Sequence, residues 1–165
     1  MSVRLLISDA NVLIDIHVGG LLDVMFNLPF EYATPETLFE QELSSTLSDL
    51  IDRGLQLAEL TDEMLIKVQE LSQQHKGVSS HDLEAMVLAD DRKVPLLTGD
   101  KKLRQVCLLE NIDVRGTIWL VGEMLETKMI AVDEASEAYR RMEEDGSRLP
   151  WDEVDSQLKR FRKQK

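Results

Sequence analysis

Arg4-Leu5-Leu6-Ile7-Ser8-Asp9-Ala10-Asn11 is the stretch from which the fold is read. Val3 and Leu5 to Ile7 form an apolar run broken only by Arg4. The run is too short for a core helix and reads as a buried strand. It ends in Ser8-Asp9-Ala10-Asn11, a carboxylate among small residues. In open parallel sheets ligands sit beyond the carboxyl ends of the strands, so Asp9 stands where a ligand would be held.

Working outward, helices alternate with short strands. A helix over Val12–Val18 is interrupted by Gly19-Gly20 and taken up again over Leu21–Asn27. Pro29–Ala33 reads as a second strand. Thr34-Pro35-Glu36 then reads as a helix start, with Thr34 as cap and Pro35 in the first turn. Leu38, Phe39, Leu43 and Leu47 follow as its apolar stripe. Leu55–Leu60 alternates like a strand, and Thr61 opens a helix that His75-Lys76-Gly77 ends, with Gly77 as a left-handed stop. Ser79 to Ala89 is the next helix, Asp90–Lys93 a polar turn, and Val94–Leu97 a strand ending at Thr98-Gly99-Asp100. Lys101–Glu110 is helical, Ile112–Arg115 a short strand, and Thr117–Lys128, Val132–Asp145 and Trp151–Lys163 are helices. This alternation predicts an α/β fold, a three-layer α/β/α sandwich on a mostly parallel sheet. Gly146-Ser147 marks the break between residues 1–146, the main domain, and a helical extension over 147–165.

Composition narrows the class. The chain has 165 residues, 43% hydrophobic and 30% charged, which suits one globular domain. No apolar run reaches the roughly 20 residues of a membrane span, and the N-terminus lacks the pattern of a signal peptide. One cysteine, Cys107, rules out an intramolecular disulfide and a cysteine-rich metal cluster. A cytoplasmic protein is the expectation. The net charge of −12 argues against a broad nucleic-acid-binding face. It is compatible with a carboxylate site, because a divalent ion inverts the local field. The basic residues cluster in Lys101, Lys102 and Arg104, and in the tail Lys159, Arg160, Arg162, Lys163 and Lys165.

Four acids are the candidate site. Asp9 and Asp100 each close a strand, Asp82 lies in a helical first turn, and Glu40 lies one turn into the helix after Pro35. Gathered at one end of a parallel sheet, they could coordinate Mg²⁺ or Mn²⁺ and activate a water against a phosphodiester. Each has a plainer reading beside this one. Ser79 and Asp82 match a capping box, Asp100 is placed to cap the helix at Lys101, Asp9 is a turn former, and Glu40 shares its helix with Glu36 and Glu42. His81 reads as an exposed first-turn residue, and Cys107 and Trp119 as packing.

Taken together, the segments resemble the PIN-domain ribonucleases. Ser8-Asp9-Ala10-Asn11-Val12-Leu13-Ile14-Asp15 is similar to that family's opening. Thr34 to Leu43 is similar to its segment bearing the second acid, Ser79 to Ala89 to its S-x-x-D helix start, and Pro95 to Arg104 to its l-l-T-x-D segment. Arg115-Gly116-Thr117-Ile118-Trp119-Leu120 resembles a stretch of a prokaryotic subgroup related to VapC-type toxins. The likeness runs from Leu5 to Glu126; the chain past Thr127 lies outside it.

The resemblance implies a metal-dependent endoribonuclease that hydrolyses RNA phosphodiester bonds, with the toxin of a toxin–antitoxin pair as one form of that reading. Asp9, Asp82 and Asp100 would be the metal-binding carboxylates, holding Mg²⁺ or Mn²⁺. Glu40, with Glu42 as the alternative, would complete the catalytic set. Asn11 and Thr98 would support it, and Lys101, Lys102 and Arg104 would contact the RNA. The implied partners are RNA, an antitoxin protein and a second copy in a homodimer. Many relatives carry a further Asp where this chain has Lys102, which weakens a second metal position. Two other readings remain. One is a non-catalytic PIN-fold module that works by binding protein or RNA. The other is a receiver- or phosphatase-type protein phosphorylated on Asp9, disfavoured because no Asp follows two residues later and no matching Lys closes a late strand.

Overall fold

The structure, a computed structural model, describes residues 4–164. Val3 and Lys165, read above as part of the first strand and of the basic tail, lie outside the described residues. Five strands form one sheet: β1 (Arg4–Ser8), β2 (Phe30–Pro35), β3 (Gln56–Ala58), β4 (Leu96–Leu97) and β5 (Val114–Arg115). Their order is β3-β2-β1-β4-β5 and every pairing is parallel. The chain therefore builds outward from β1 in one direction, returns, and builds outward in the other. The crevice between β1 and β4 is the topological switch point, where α/β sheets bind ligands.

Helices cover both faces, giving three α/β/α layers. On one side lie α1 (Ala10–Val18), α2 (Leu22–Asn27), α8 (Thr117–Glu126), α9 (Val132–Glu144) and α10 (Trp151–Arg162). On the other, α6 (Ser80–Arg92) packs on β1 and β2 and is flanked by α5 (Asp62–Gln74) and α7 (Lys101–Leu109). The short α3 (Glu36–Leu38) and α4 (Leu50–Arg53) sit in the long β2–β3 crossover. The core runs through the sheet, with Leu6, Ile7, Leu13, Leu83, Leu88, Leu96, Leu97 and Leu120 all fully buried. Among the described residues no helix is long and apolar enough to cross a membrane.

Three local expectations are corrected. Thr34 does not cap a helix: it is the fifth residue of β2, and its hydroxyl donates to the Ser8 carbonyl at 2.9 Å. Sheet pairing outweighs the cap signal because Ala33, Thr34 and Pro35 pair with β3. The helix that follows does not run regularly either. After α3 the chain makes a π-helical turn over Phe39–Leu43, in which the Ser44 amide reaches back five residues to the Phe39 carbonyl at 2.8 Å. α6 continues through the expected turn to Arg92 and stops at Lys93, whose φ of 55° is left-handed. α5 ends at Gln74 with His75 as its cap, as expected, and Gly77, with a φ of 98°, turns the chain beyond it.

α10 is fastened to the body by a buried amide. The Tyr139 hydroxyl donates to Gln157 Oε1 at 2.6 Å, and Gln157 Nε2 donates to the Ile118 carbonyl at 2.8 Å. Val154 and Phe161 are buried beside it. Pairing both ends of a buried side-chain amide avoids the desolvation cost of leaving either unsatisfied.

Candidate metal and nuclease site

Asp9 and Asp100 are placed by the same local device. Each follows a strand and caps the next helix. Asp9 Oδ1 accepts from the Val12 amide at 3.0 Å, and Asp100 Oδ1 from the Leu103 amide at 3.0 Å. Capping uses one oxygen and orients the other. The strands under them are neighbours, and the Asp9 amide donates to the Leu97 carbonyl at 3.0 Å, which locks the two strand ends together.

Asp9 is fully buried, and its Oδ2 has no hydrogen-bond partner. Burial pushes its carboxyl up to about 7; the Thr98 hydroxyl and the Val12 amide pull it down, while Asp82 and Asp15 push it further up. A buried carboxylate oxygen with no protein partner is costly, and such groups in native structures are met by an ion or a water or serve a function.

Asp82 lies in the first turn of α6. The cap there is Ser79, whose hydroxyl accepts from the Asp82 amide at 3.1 Å. The Asp82 carboxyl is raised by burial first, then by the carboxylates of Asp100 and Glu42; Ser79 and His81 work against this. Asp9, Asp82 and Asp100 thus lie within electrostatic reach along one chain of neighbours.

Thr98 is buried behind them: its hydroxyl accepts from the Asp100 amide at 3.1 Å and its carbonyl accepts from Arg104 Nε at 3.2 Å. Asn11 is exposed and lines a cavity of about 600 Å³ together with Asp100, Lys101 and Lys102. Glu40 and Glu42 are both exposed on the π-helical turn, and it is Glu42 whose charge reaches Asp82.

Two further residues belong to this region. Asp15 lines the same cavity, accepts from the Thr117 hydroxyl at 3.3 Å, and is raised by burial against the opposing hydroxyls of Ser147 and Thr117. It stands four residues after Asn11 on α1, so helical periodicity alone puts the two on one face. Glu84, 9% exposed, accepts from the Thr37 hydroxyl and lies 3.7 Å from His81 Nδ1. His81 is not an exposed first-turn residue. Its side chain is 20% exposed, and its Nε2 pairs with Gln41 Oε1 at 2.9 Å. Together these contacts hold the π-helical turn against α6.

The donor chemistry fits a hard divalent cation: carboxylate oxygens, one of them buried and unpaired, beside an open cavity. Among the described residues no group of three or more His, Cys, Asp or Glu side chains is placed to hold a metal ion. Mg²⁺ does not need such a group, since it is commonly held through one or two carboxylates and keeps several waters.

A family model described as a PIN domain matches residues 5–163, a span that includes α10. No curated protein matches the chain.

Proposed function

The chain belongs to the PIN-domain family, and from that premise we propose that it is a metal-dependent endoribonuclease using Mg²⁺ or Mn²⁺. PIN domains are in general metal-dependent nucleases. The observation that carries the reading here is the buried, unpaired Oδ2 of Asp9 at the sheet's switch point, with Asp82 and Asp100 beside it.

Asp9, Asp82 and Asp100 would hold the cation, one or two of them directly and the rest through its waters. When bound, it supplies Lewis-acid polarisation of the phosphate and a more acidic water. The chain's own contribution is placement. Caps on α1 and α7 fix the carboxylates of Asp9 and Asp100. Thr98 ties the β4 end to Asp100, and Asn11 presents an amide at the cavity wall. Glu42 is the acid on the π-helical turn whose charge reaches Asp82, and we assign it, ahead of Glu40, as the fourth member. Lys101 and Lys102 border the cavity and offer cations to the phosphates on either side of the scissile bond.

Cleavage of an end-labelled RNA mixture tests the reading. Wild type is expected to cleave with Mg²⁺ or Mn²⁺, EDTA to stop it, and Asp82→Asn to slow it by about 100-fold or more, the loss of several kcal/mol of transition-state stabilisation. Metal-independent cleavage, or an Asp82→Asn variant as fast as wild type, would remove the assignment.

A second reading, a PIN module that binds without cutting, is favoured by the absence of such a group of three among the described residues. It predicts RNA or protein binding with no turnover in any metal. Leu108 and Leu109, 75% and 73% exposed at the end of α7, are the surface we assign to a protein partner, an antitoxin or a second copy.

A further inference from the structure

The cavity beside the carboxylates does not end there. Gly99, Lys101, Arg148 and Leu149 also line a second cavity of about 610 Å³, so the two adjoin. This second part lies between the start of α7, the β5–α8 turn and α10. Side by side the two form one trough, with the carboxylates of Asp15 and Asp100 in its first part and five of its cations in the second.

Its charge is unlike that of the rest of the molecule. In a chain of net charge −12 it is bordered by five cations, Lys101, Arg104, Arg115, Arg148 and Arg160, against three glutamates. Outside the trough Arg4, Arg53, Arg140, Arg141 and Arg162 have carboxylate partners, and of the described arginines there only Arg92 has none. Within the trough Arg115 alone is paired, with Asp113. Among the described residues Lys101, Arg104, Arg148 and Arg160 make no ion pair.

The trough is also rigid and partly apolar. Trp119 forms part of its floor, held by Phe30 at 5.4 Å between ring centroids and by the Arg115 guanidinium 5.8 Å over the ring. Arg104 is held by the Thr98 carbonyl and lies over Gly116, where a Cβ would come within 2.5 Å of its guanidinium. The buried Gln157 amide fixes α10 as the far wall.

We propose that this trough, walled by α10, binds the unpaired RNA strand flanking the scissile phosphate, with Lys101, Arg104, Arg148 and Arg160 on its phosphates. The assignment rests on the ribonuclease reading of the adjacent carboxylates. Unpaired cations suit a polyanion, and an apolar, aromatic floor suits exposed bases, which a duplex hides. The volume falls in the small-ligand range of roughly 300–1,000 Å³, room for one or two nucleotides rather than a helix.

The test is fluorescence anisotropy of a labelled oligouridylate in EDTA, where no cutting occurs, at several salt concentrations. Arg148→Glu/Arg160→Glu is compared with wild type, with Arg148→Gln/Arg160→Gln, and with the control Lys67→Glu/Arg92→Glu. Lys67 is on α5, and Arg92 ends α6 about 15 Å from Asp82 at 1.5 Å per residue. The proposal expects the Glu pair to weaken binding at least about tenfold and to lower the salt slope by roughly 1.4, two contacts at ~0.7 each. The Gln pair should fall between, the control should match wild type, and the annealed duplex should bind more weakly than the single strand. Equal losses in trough and control variants, duplex binding as tight as single strand, or no binding by wild type at low salt would each overturn it. Because the readout is binding without metal, the trough can fail while the cleavage assay still succeeds, and the reverse.

Discussion

Replacing Asp9 with Asn should make the metal-free protein more stable at neutral pH, although it destroys the proposed centre. Asp9 titrates near 7 in the fold because it is buried, against about 3.9 in an unfolded chain. Between those values the folded state binds more protons than the unfolded state. Stability from this group therefore falls as pH rises from about 4 to about 7, and the penalty is complete above 7. The gap of about three pH units corresponds to an upper bound of roughly 4 kcal/mol at ~1.4 kcal/mol each.

An Asn at this position keeps an oxygen for the Val12 amide and offers an amide where Oδ2 now has no partner. It gives up the stronger bond made by a charged acceptor, worth a further ~1–2 kcal/mol. A net gain of about 2 kcal/mol would raise Tm by roughly 4–8 °C in a domain of this size. The assay is thermal unfolding by circular dichroism in EDTA at pH 8, 6 and 4.5. The gain should shrink as pH falls. Added Mn²⁺ should raise the wild-type Tm and leave the variant's unchanged, since only a ligand that binds the native state stabilises it. An Asn variant no more stable than wild type at pH 8, or a difference that does not change with pH, would refute the reasoning.

Other perturbations have equally definite outcomes. Ser79→Ala removes the α6 cap and should cost about 1 kcal/mol in urea unfolding; it also takes a hydroxyl from Asp82, so Mn²⁺ affinity measured by calorimetry should fall. Tyr139→Phe leaves Gln157 Oε1 buried without its donor and should cost roughly 1–3 kcal/mol, with limited proteolysis showing earlier cleavage near α10. Gly116→Ala forces the Arg104 guanidinium aside. The same Cβ would stand 3.3 Å from the Thr98 carbonyl, so backbone beside Asp100 must shift as well; oligouridylate affinity should drop severalfold, with a modest loss in the unfolding midpoint.

The strand ends at Asp9 and Asp100 and the cap at Asp100 are readable because a short apolar run gives way there to a helix; Asp9 reads as a turn former, and its cap on α1 shows only in the structure. The sheet order was not readable locally: β4 and β5 are two-residue strands whose placement depends on long-range pairing. Thr34 misled because its residue type suits a cap, yet its hydroxyl is needed at the Ser8 carbonyl. The choice between Glu40 and Glu42 was hidden by the π-helical turn. A five-residue hydrogen bond adds a residue to the turn, so positions beyond it leave the 3.6 period on which the reading depended. Asp15 was within the quoted opening motif, and its spacing from Asn11 was the signal available. The unpaired state of Arg148 and Arg160 depends on packing of α10 against α8 and α9, which no local pattern encodes.

The most direct test of the central claim is RNA cleavage in Mn²⁺ and in EDTA by wild type and by an Asp9→Asn/Asp100→Asn double variant, with the new termini analysed. The account predicts cutting only by wild type and only with metal. Because water is the attacking group, the termini should carry no 2′,3′-cyclic phosphate. Equal cutting by both proteins, cutting in EDTA, or cyclic-phosphate ends would contradict it.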